Sequence, residues 1–226
     1  GVIALWHLWA LPRPAGDRPA APGARAAGTG AVLAEFGRVF AAFFRRPDIV
    51  RVLAFLLLYR FAEAQLLKLV TPFLLDPRAA GGLGLTTAQV GLVYGTFGVL
   101  ALTVGGILGG LAISRHGLRR WLWPMVFAVH GPNLAFVWLA TAQPGDPALV
   151  AAVIAFEQFG YGFGFAAYLM YMIGVADGPN KTAHYAICTG FMALGMMLPG
   201  MASGWIQELL GYRNFFHPDK RWQFCG

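Results

Sequence analysis

Of 226 residues, 58% are hydrophobic and 12% charged, and the formal net charge is +7. A chain so apolar is not built as a soluble domain, and its 30 glycines suit membrane helices, where glycine is more frequent than in soluble ones. The positive balance comes without an aromatic-interleaved basic cluster, which argues against nucleic acid as a partner.

Gly1 to Leu11 (GVIALWHLWAL) reads as the last turns of a helix already under way, because it is apolar but too short to span a bilayer. Residues 1–12 are therefore expected to end a preceding transmembrane helix. From Pro12 to Gly30 the chain is rich in Pro, Ala, Gly and Arg without a hydrophobic period, the composition of a flexible linker. Val32, Phe36, Val39, Phe40 and Phe43 then recur at helical spacing, with Glu35, Arg38, Arg45 and Arg46 mostly elsewhere on the wheel. Such a helix can lie flat at the cytoplasmic interface. The alternative is an extension of the first spanning helix, against which Arg45-Arg46-Pro47 argues for a break. Residues 13–46 are thus expected to be a cytoplasmic linker with an interfacial helix, and 47–226 a membrane bundle.

Val52 to Leu75 is long and apolar enough to cross a bilayer, yet it carries Arg60, Glu63 and Lys68. Each such charge costs roughly 2.5–3.5 kcal/mol at a bilayer centre, so it must face a bundle interior, a partner or water. No charged residue occurs from Ala79 to Ser114, from Trp121 to Gly145, or from Thr182 to Gln207. Ala148 to Ala176 is interrupted by Glu157 alone. Since a spanning helix needs about 20 predominantly apolar residues, five full spans are expected, near 50–75, 87–113, 121–142, 147–175 and 182–211. Pro77, Gly81 and Gly82 mark the first outer loop and Pro144-Gly145-Asp146-Pro147 the second; Ser114 to Arg120 and Asp177-Gly178-Pro179-Asn180 make the turns on the other side. Thr86 or Thr87 and Asn180 are expected helix N-caps. Pro132 and Pro199 are expected to kink their spans. After Gly211 the sequence is polar, and the chain is expected to be cut from a longer protein at both ends.

With the first helix running outward, Arg13, Arg18, Arg25, Arg38, Arg45, Arg46, Arg51, Arg115, Arg119, Arg120 and Lys181 lie in cytoplasmic segments. The opposite side holds Arg78, Arg213, Lys220 and Arg221. That asymmetry is a positive-inside bias and predicts the orientation. Cys188 and Cys225 offer neither a disulfide framework nor a zinc ligand spacing. No metal or cofactor is expected, and with no nucleophile elbow, ligand cluster or phosphate loop the chain is not read as an enzyme.

Arg60 and Glu63 are three apart and share a helix face, so an intrahelical ion pair and a direct substrate role both account for them. Lys68 lies nearer the outer end, where its stem can snorkel or its ammonium can meet an anionic group. Glu157, beside Gln158, has no opposite charge within four residues and is the better candidate for a protonatable group; a partner on another helix, such as Lys68, is equally allowed. Around it, FEQFGYGFGFAAYLMYM places Tyr161 and Tyr168 among aromatics and glycines. Aromatic faces suit sugar rings and hydroxyls suit polar cargo, although packing accounts for such helices as well. Gly160, Gly162 and Gly164, like the pairs Gly105/Gly109 and Gly106/Gly110, are expected to serve close packing. His130 and His184 are expected to be hydrogen-bonded structural residues.

The turn from Gly110 through Ser114, Arg115, Gly117, Arg119 and Arg120 resembles the signature loop of the major facilitator superfamily. Glycines permit the tight turn and arginines anchor it at an anionic surface. Ser114 stands where that family usually carries Asp, which puts a charge contact from this loop to a neighbouring helix end in doubt. The runs YRFAEAQLLKLVTPFLLDPRAAGGLGLTTAQVGLVYG, GFGFAAYLMYMI and KTAHYAICTGFMALGMMLPGMASGWIQELLGY resemble the second half of the muropeptide-permease (AmpG-like) type, over most of residues 47–212. The resemblance implies an all-α membrane protein of two six-helix halves, this chain being a partial half-bundle with its last helix missing. It implies secondary, proton-coupled uptake of a muropeptide or similar sugar-peptide through a bacterial inner membrane, in partnership with the other half-bundle. The alternatives are a membrane-embedded sensor or subunit that binds ligand without moving it, and a facilitator for a peptide, nucleoside or acyl-CoA compound.

Overall fold

In a computed structural model the chain is described at Trp6, Trp9, Ala10 and residues 28–216, with side chains followed as far as Gly211. The expected end of a preceding helix at 1–12, most of the linker and the polar tail after Phe216 fall almost wholly outside the described residues. Two compact units are present, Gly1–Arg38 and Val39–Gly226. Among the described residues every long element is a helix, as an all-α membrane protein requires.

The amphipathic stretch forms α1, Thr29–Phe44, which ends before Arg45-Arg46-Pro47. Within the second unit, Phe43 is buried with its ring edge-on to His184, centroids 5.6 Å apart. Phe44 meets Phe191, and the Arg46 guanidinium donates to the Val175 carbonyl.

The charged span is not one helix. It is two, α2 (Ile49–Leu58) and α3 (Phe61–Leu75), interrupted at Tyr59-Arg60, where Arg60 leaves helical dihedrals at φ −110°, ψ 13°. A helix end orphans its last carbonyls, and in a bilayer each must find a donor inside the protein. Tyr168 supplies one: its hydroxyl donates to the Leu56 carbonyl in the last turn of α2 at 2.7 Å. Removing that hydroxyl in Tyr168→Phe is expected to lower stability by about 1–3 kcal/mol, since a buried acceptor is left unpaired. Thermal unfolding of the purified protein in detergent checks this, and an unchanged midpoint would mean that the Leu56 carbonyl finds another donor.

At the far end of α3 the following loop folds back as a cap. The N–H groups of Leu83, Leu85 and Gly84 donate to the carbonyls of Phe73, Leu74 and Asp76 at 2.8–2.9 Å. Gly82 is obligatory there, because a Cβ would stand 2.3 Å from the Asp76 carbonyl oxygen. Arg78 ties this loop to the next outer loop, donating to the carbonyls of Gln143 and Pro144 at 2.6 and 2.8 Å.

Among the described residues four helical runs are long and apolar enough to cross a membrane: α4 (Thr87–His116), α5 (Leu118–Ala142), α6 (Pro147–Ala176) and α7 (Lys181–Gly211). Thr86 and Gln89 form a reciprocal capping box at the start of α4. Asp146 caps α6 through the Ala148 N–H. Asn180 precedes α7, its carbonyl accepting from the His184 N–H. α4 contains a π-helical segment, Val93–Gly98. α5 is interrupted at Gly131-Pro132, between Leu118–His130 and Asn133–Ala142. Pro199, by contrast, stays within helical dihedrals; α7 departs from them at Gly211.

The glycines of α6 divide between two neighbours. A Cβ at Gly162 would stand 2.2 Å from the Leu102 carbonyl oxygen on α4, while one at Gly160 would stand 2.1 Å from the Ala128 carbonyl oxygen and one at Gly164 2.7 Å from that of Met125, both on α5. From α4, Gly105 and Gly109 press on the Phe159 and Phe163 carbonyls. Positions two apart on a helix point nearly opposite ways, so the alternation builds two contact faces. Apolar residues pointing the other way, such as Ile107, Phe127, Leu134 and Met201, are exposed, as a lipid-facing surface requires.

Among the described residues three apolar clusters form, the smallest around Ile113, Met125 and Ala167, and the two larger ones occupy the two ends of the bundle. Leu66, Phe73, Leu83, Phe136 and Ile154 belong to the cluster at the Arg78 end, and Phe43, Val52, Leu56, Met172 and Cys188 to that at the Arg115–Arg120 end. Buried charge falls between them.

Candidate functional site

The interruption at Tyr59-Arg60 places Arg60 at the N-cap position of α3 and Glu63 in its first turn, where a carboxylate is favoured by the helix dipole. Both are 4% exposed. They form a bidentate pair: Arg60 Nε donates to Glu63 Oε2 at 3.0 Å and Nη2 to Oε1 at 2.8 Å. The same Nη2 donates to the Tyr161 hydroxyl on α6 at 2.8 Å. Arg60 also lies over the rings of Tyr161 and Phe165, 5.0 and 4.9 Å from their centroids. The planar guanidinium suits this combination of fork and stack, which an ammonium could not make. Tyr59 closes the junction by donating its hydroxyl to the Gly164 carbonyl at 2.9 Å.

One turn from Tyr161, Glu157 is 7% exposed and its Oε2 has no hydrogen-bond partner among the described residues. Its charged neighbour across the bundle is Glu63, and Tyr94 from the π segment of α4 lies within electrostatic range. Gln158, 8% exposed, packs at the end of that segment, its Cγ 3.4 Å from where a Gly98 Cβ would be. Asn133, just after the break in α5, also has a buried unpartnered oxygen. Two helix irregularities, the break at Tyr59-Arg60 and the π segment of α4, therefore border one buried polar cluster, and π segments recur at functional sites.

The other sequence candidates fall elsewhere. Lys68 is exposed and its stem lies along Gly200 of α7, so it is not the partner of Glu157. Tyr168 is fully buried and its hydroxyl is committed to Leu56, which leaves it no group to offer a solute. His184 was expected to be hydrogen-bonded, yet neither ring nitrogen has a partner among the described residues, because the first turn of α7 presses it into the Phe43 cluster. His130 stands edge-on to Tyr59, centroids 6.3 Å apart. In the signature-like loop Gly117 takes φ +79°, a left-handed region open to glycine. Arg115, Arg119 and Arg120 are exposed, and Ser114 donates to the Leu111 carbonyl of its own helix at 2.9 Å. A depression of about 620 Å³ lies between α6 and α7 beside Asp177, Lys181 and Tyr185, and none of the polar cluster lines it.

Sequence reasoning missed Tyr94, Asn133 and the break at Arg60. Gly91, Gly95 and Gly98 were signals for the first and Gly131-Pro132 for the second. The break at Tyr59-Arg60 has no local glycine or proline to announce it.

No family model matches the chain. It is similar to the anhydromuropeptide permease of Escherichia coli (strain K12), 27% identical over 175 residues that cover 77% of this chain and 34% of that protein. It is similar also to an uncharacterized protein of Haemophilus influenzae, 26% identical over 183 residues and covering 77% and 42%. A putative transporter AmpG 4 of Rickettsia conorii is 25% identical over 174 residues, covering 77% and 40%. The chain spans about a third to two fifths of the length of these relatives. The resemblance to muropeptide permeases of the major facilitator type is borne out, and with the apolar helices it marks an integral protein of a bacterial inner membrane.

Proposed function

From that likeness we propose that the chain is the second-half bundle of a secondary transporter that carries a polar sugar-peptide of the muropeptide kind inward with protons. The observation that carries this reading is a buried carboxylate, Glu157, with one oxygen that has no hydrogen-bond partner among the described residues, set in the same cluster as a charged pair at the interruption of a spanning helix. Charges are kept inside a bilayer where they serve a pathway or a proton relay, and discontinuous helices build solute sites near the midplane of transporters. Arg60, Tyr161 and Gln158 are assigned to the solute and Glu157 to the proton, with Glu63 holding Arg60 in place. The Arg115–Arg120 end faces the cytoplasm by the positive-inside rule, and the solute site is completed by the other half-bundle. No catalytic step is assigned.

Proteoliposomes holding the full-length protein test the reading. An imposed inward proton gradient is expected to drive a radiolabelled muramyl dipeptide above equilibrium, and a protonophore to abolish this. Saturable binding without uptake would replace transport by the sensor reading.

Arg60→Ala is expected to damage uptake more than Lys68→Ala. Removing the guanidinium strands Glu63 as an uncompensated buried charge, a loss of about 3–5 kcal/mol, whereas Lys68 is already exposed. Equal or inverted losses at matched expression would overturn that ranking.

A further inference from the structure

Arg60 has more donors than its partners use. Its Nε and Nη2 are engaged by Glu63 and Tyr161, and the rings of Tyr161 and Phe165 stack on the guanidinium plane. Nη1, with two N–H groups, takes no partner among the described residues. A free Nη1 N–H can donate to one oxygen of a carboxylate, and such charge-assisted bonds are about twice as strong as neutral ones. The open valence can therefore be filled without breaking the Arg60–Glu63 pair.

Charge counting in the cluster sets a second condition. Among the described residues the ionisable groups facing Glu157 are Glu63 from α3, which carries Arg60 as its ion-pair partner, Tyr94 from α4 and Tyr161 on its own helix; from α5, His130 turns to Tyr59 instead. Arg60 and Glu63 cancel, so an ionised Glu157 leaves the cluster one unit negative. An arriving anion would double that excess in a medium of low dielectric, where like charges repel strongly. A proton on Glu157 removes the excess.

We propose that the solute is held as an anion, a carboxylate accepting from the Nη1 edge of Arg60, and that a proton on Glu157 offsets the added charge. This deepens the transport reading above and rests on it. Anion and proton then favour each other's binding reciprocally, as linkage requires, and the coupling is one proton for each carboxylate held. Glu157 and Arg60 act on opposite partners, which explains why one acid is left unpaired beside a complete ion pair.

The test compares a muramyl dipeptide bearing its free carboxylate with the same compound amidated there, both radiolabelled, in proteoliposomes of the full-length protein. The wild type is expected to take up the acid at least roughly tenfold faster than the amide, the value of one charge-assisted hydrogen bond. The double variant Arg60→Gln/Glu63→Gln avoids stranding a buried charge, and it is expected to bring the ratio to about one. Acid binding should tighten as pH falls in the wild type and be flat in Glu157→Gln. Vigorous uptake of acid and amide alike by the wild type overturns the anion site and leaves the transport reading standing. An undiminished preference for the acid in the double variant overturns the assignment to Arg60. Uptake of neither compound removes the transport reading and this inference with it.

Discussion

Glu157→Gln is expected to abolish accumulation driven by a proton gradient while preserving exchange of solute across the membrane. The amide has the shape of the protonated acid but cannot release a proton, so the carrier would cycle loaded and be unable to couple. Glu63 is the weaker candidate, because both of its oxygens are engaged by Arg60, whereas Glu157 Oε2 has no partner among the described residues. The loss should be near total in accumulation assays at any imposed gradient, with exchange rates within a few-fold of the wild type. Accumulation against a gradient by this variant would show that Glu157 is not the coupling group, and Glu63 or a residue of the other half-bundle would take its place.

The second large effect is structural. Gly162→Ala would put a methyl 2.2 Å from the Leu102 carbonyl oxygen and 3.0 Å from the Gly106 nitrogen, where the obstacle is backbone that cannot swing aside. Overpacking of this kind costs about 1–3 kcal/mol and more where helices must separate. The variant is expected to unfold at markedly lower temperature in detergent. Gly190→Ala, at a helical glycine with nothing within 4 Å of the added carbon, serves as the control and should be neutral or stabilising. Equal midpoints for the two variants would mean that α4 and α6 do not approach so closely. The effect also bears on the site: α6 carries Glu157, Gln158 and Tyr161, and Gly162 sets how near they stand to α4.

Much of this was legible one residue at a time. Apolar run length is a local property, so the membrane class and the spans from Thr87 onward were readable without the fold, as were the capping box at Thr86 and the loop ends at Gly117 and Gly82. The interruption of the charged span was not, because Tyr59 and Arg60 have no intrinsic reluctance to be helical. Helix is abandoned there because a hydroxyl from Tyr168, more than a hundred residues away, takes the Leu56 carbonyl, while Arg60 is held by Glu63 and Tyr161.

The same division runs through the candidate site. Composition and spacing alone singled out Arg60, Glu63, Lys68 and Glu157 as charges set in apolar segments, since the cost of an ion in hydrocarbon depends on its own segment. Which of them belong together was decided by tertiary structure. Lys68 and Arg60 are eight residues apart on the same span, yet packing turns one along Gly200 and seals the other against α6. Tyr161 and Tyr168 look alike in sequence and part for the same reason, one at the cluster and one in the core. Partnership depends on the azimuth of each helix and the distance between axes, and those are set by contacts such as Gly162 on Leu102, made between residues far apart in the chain.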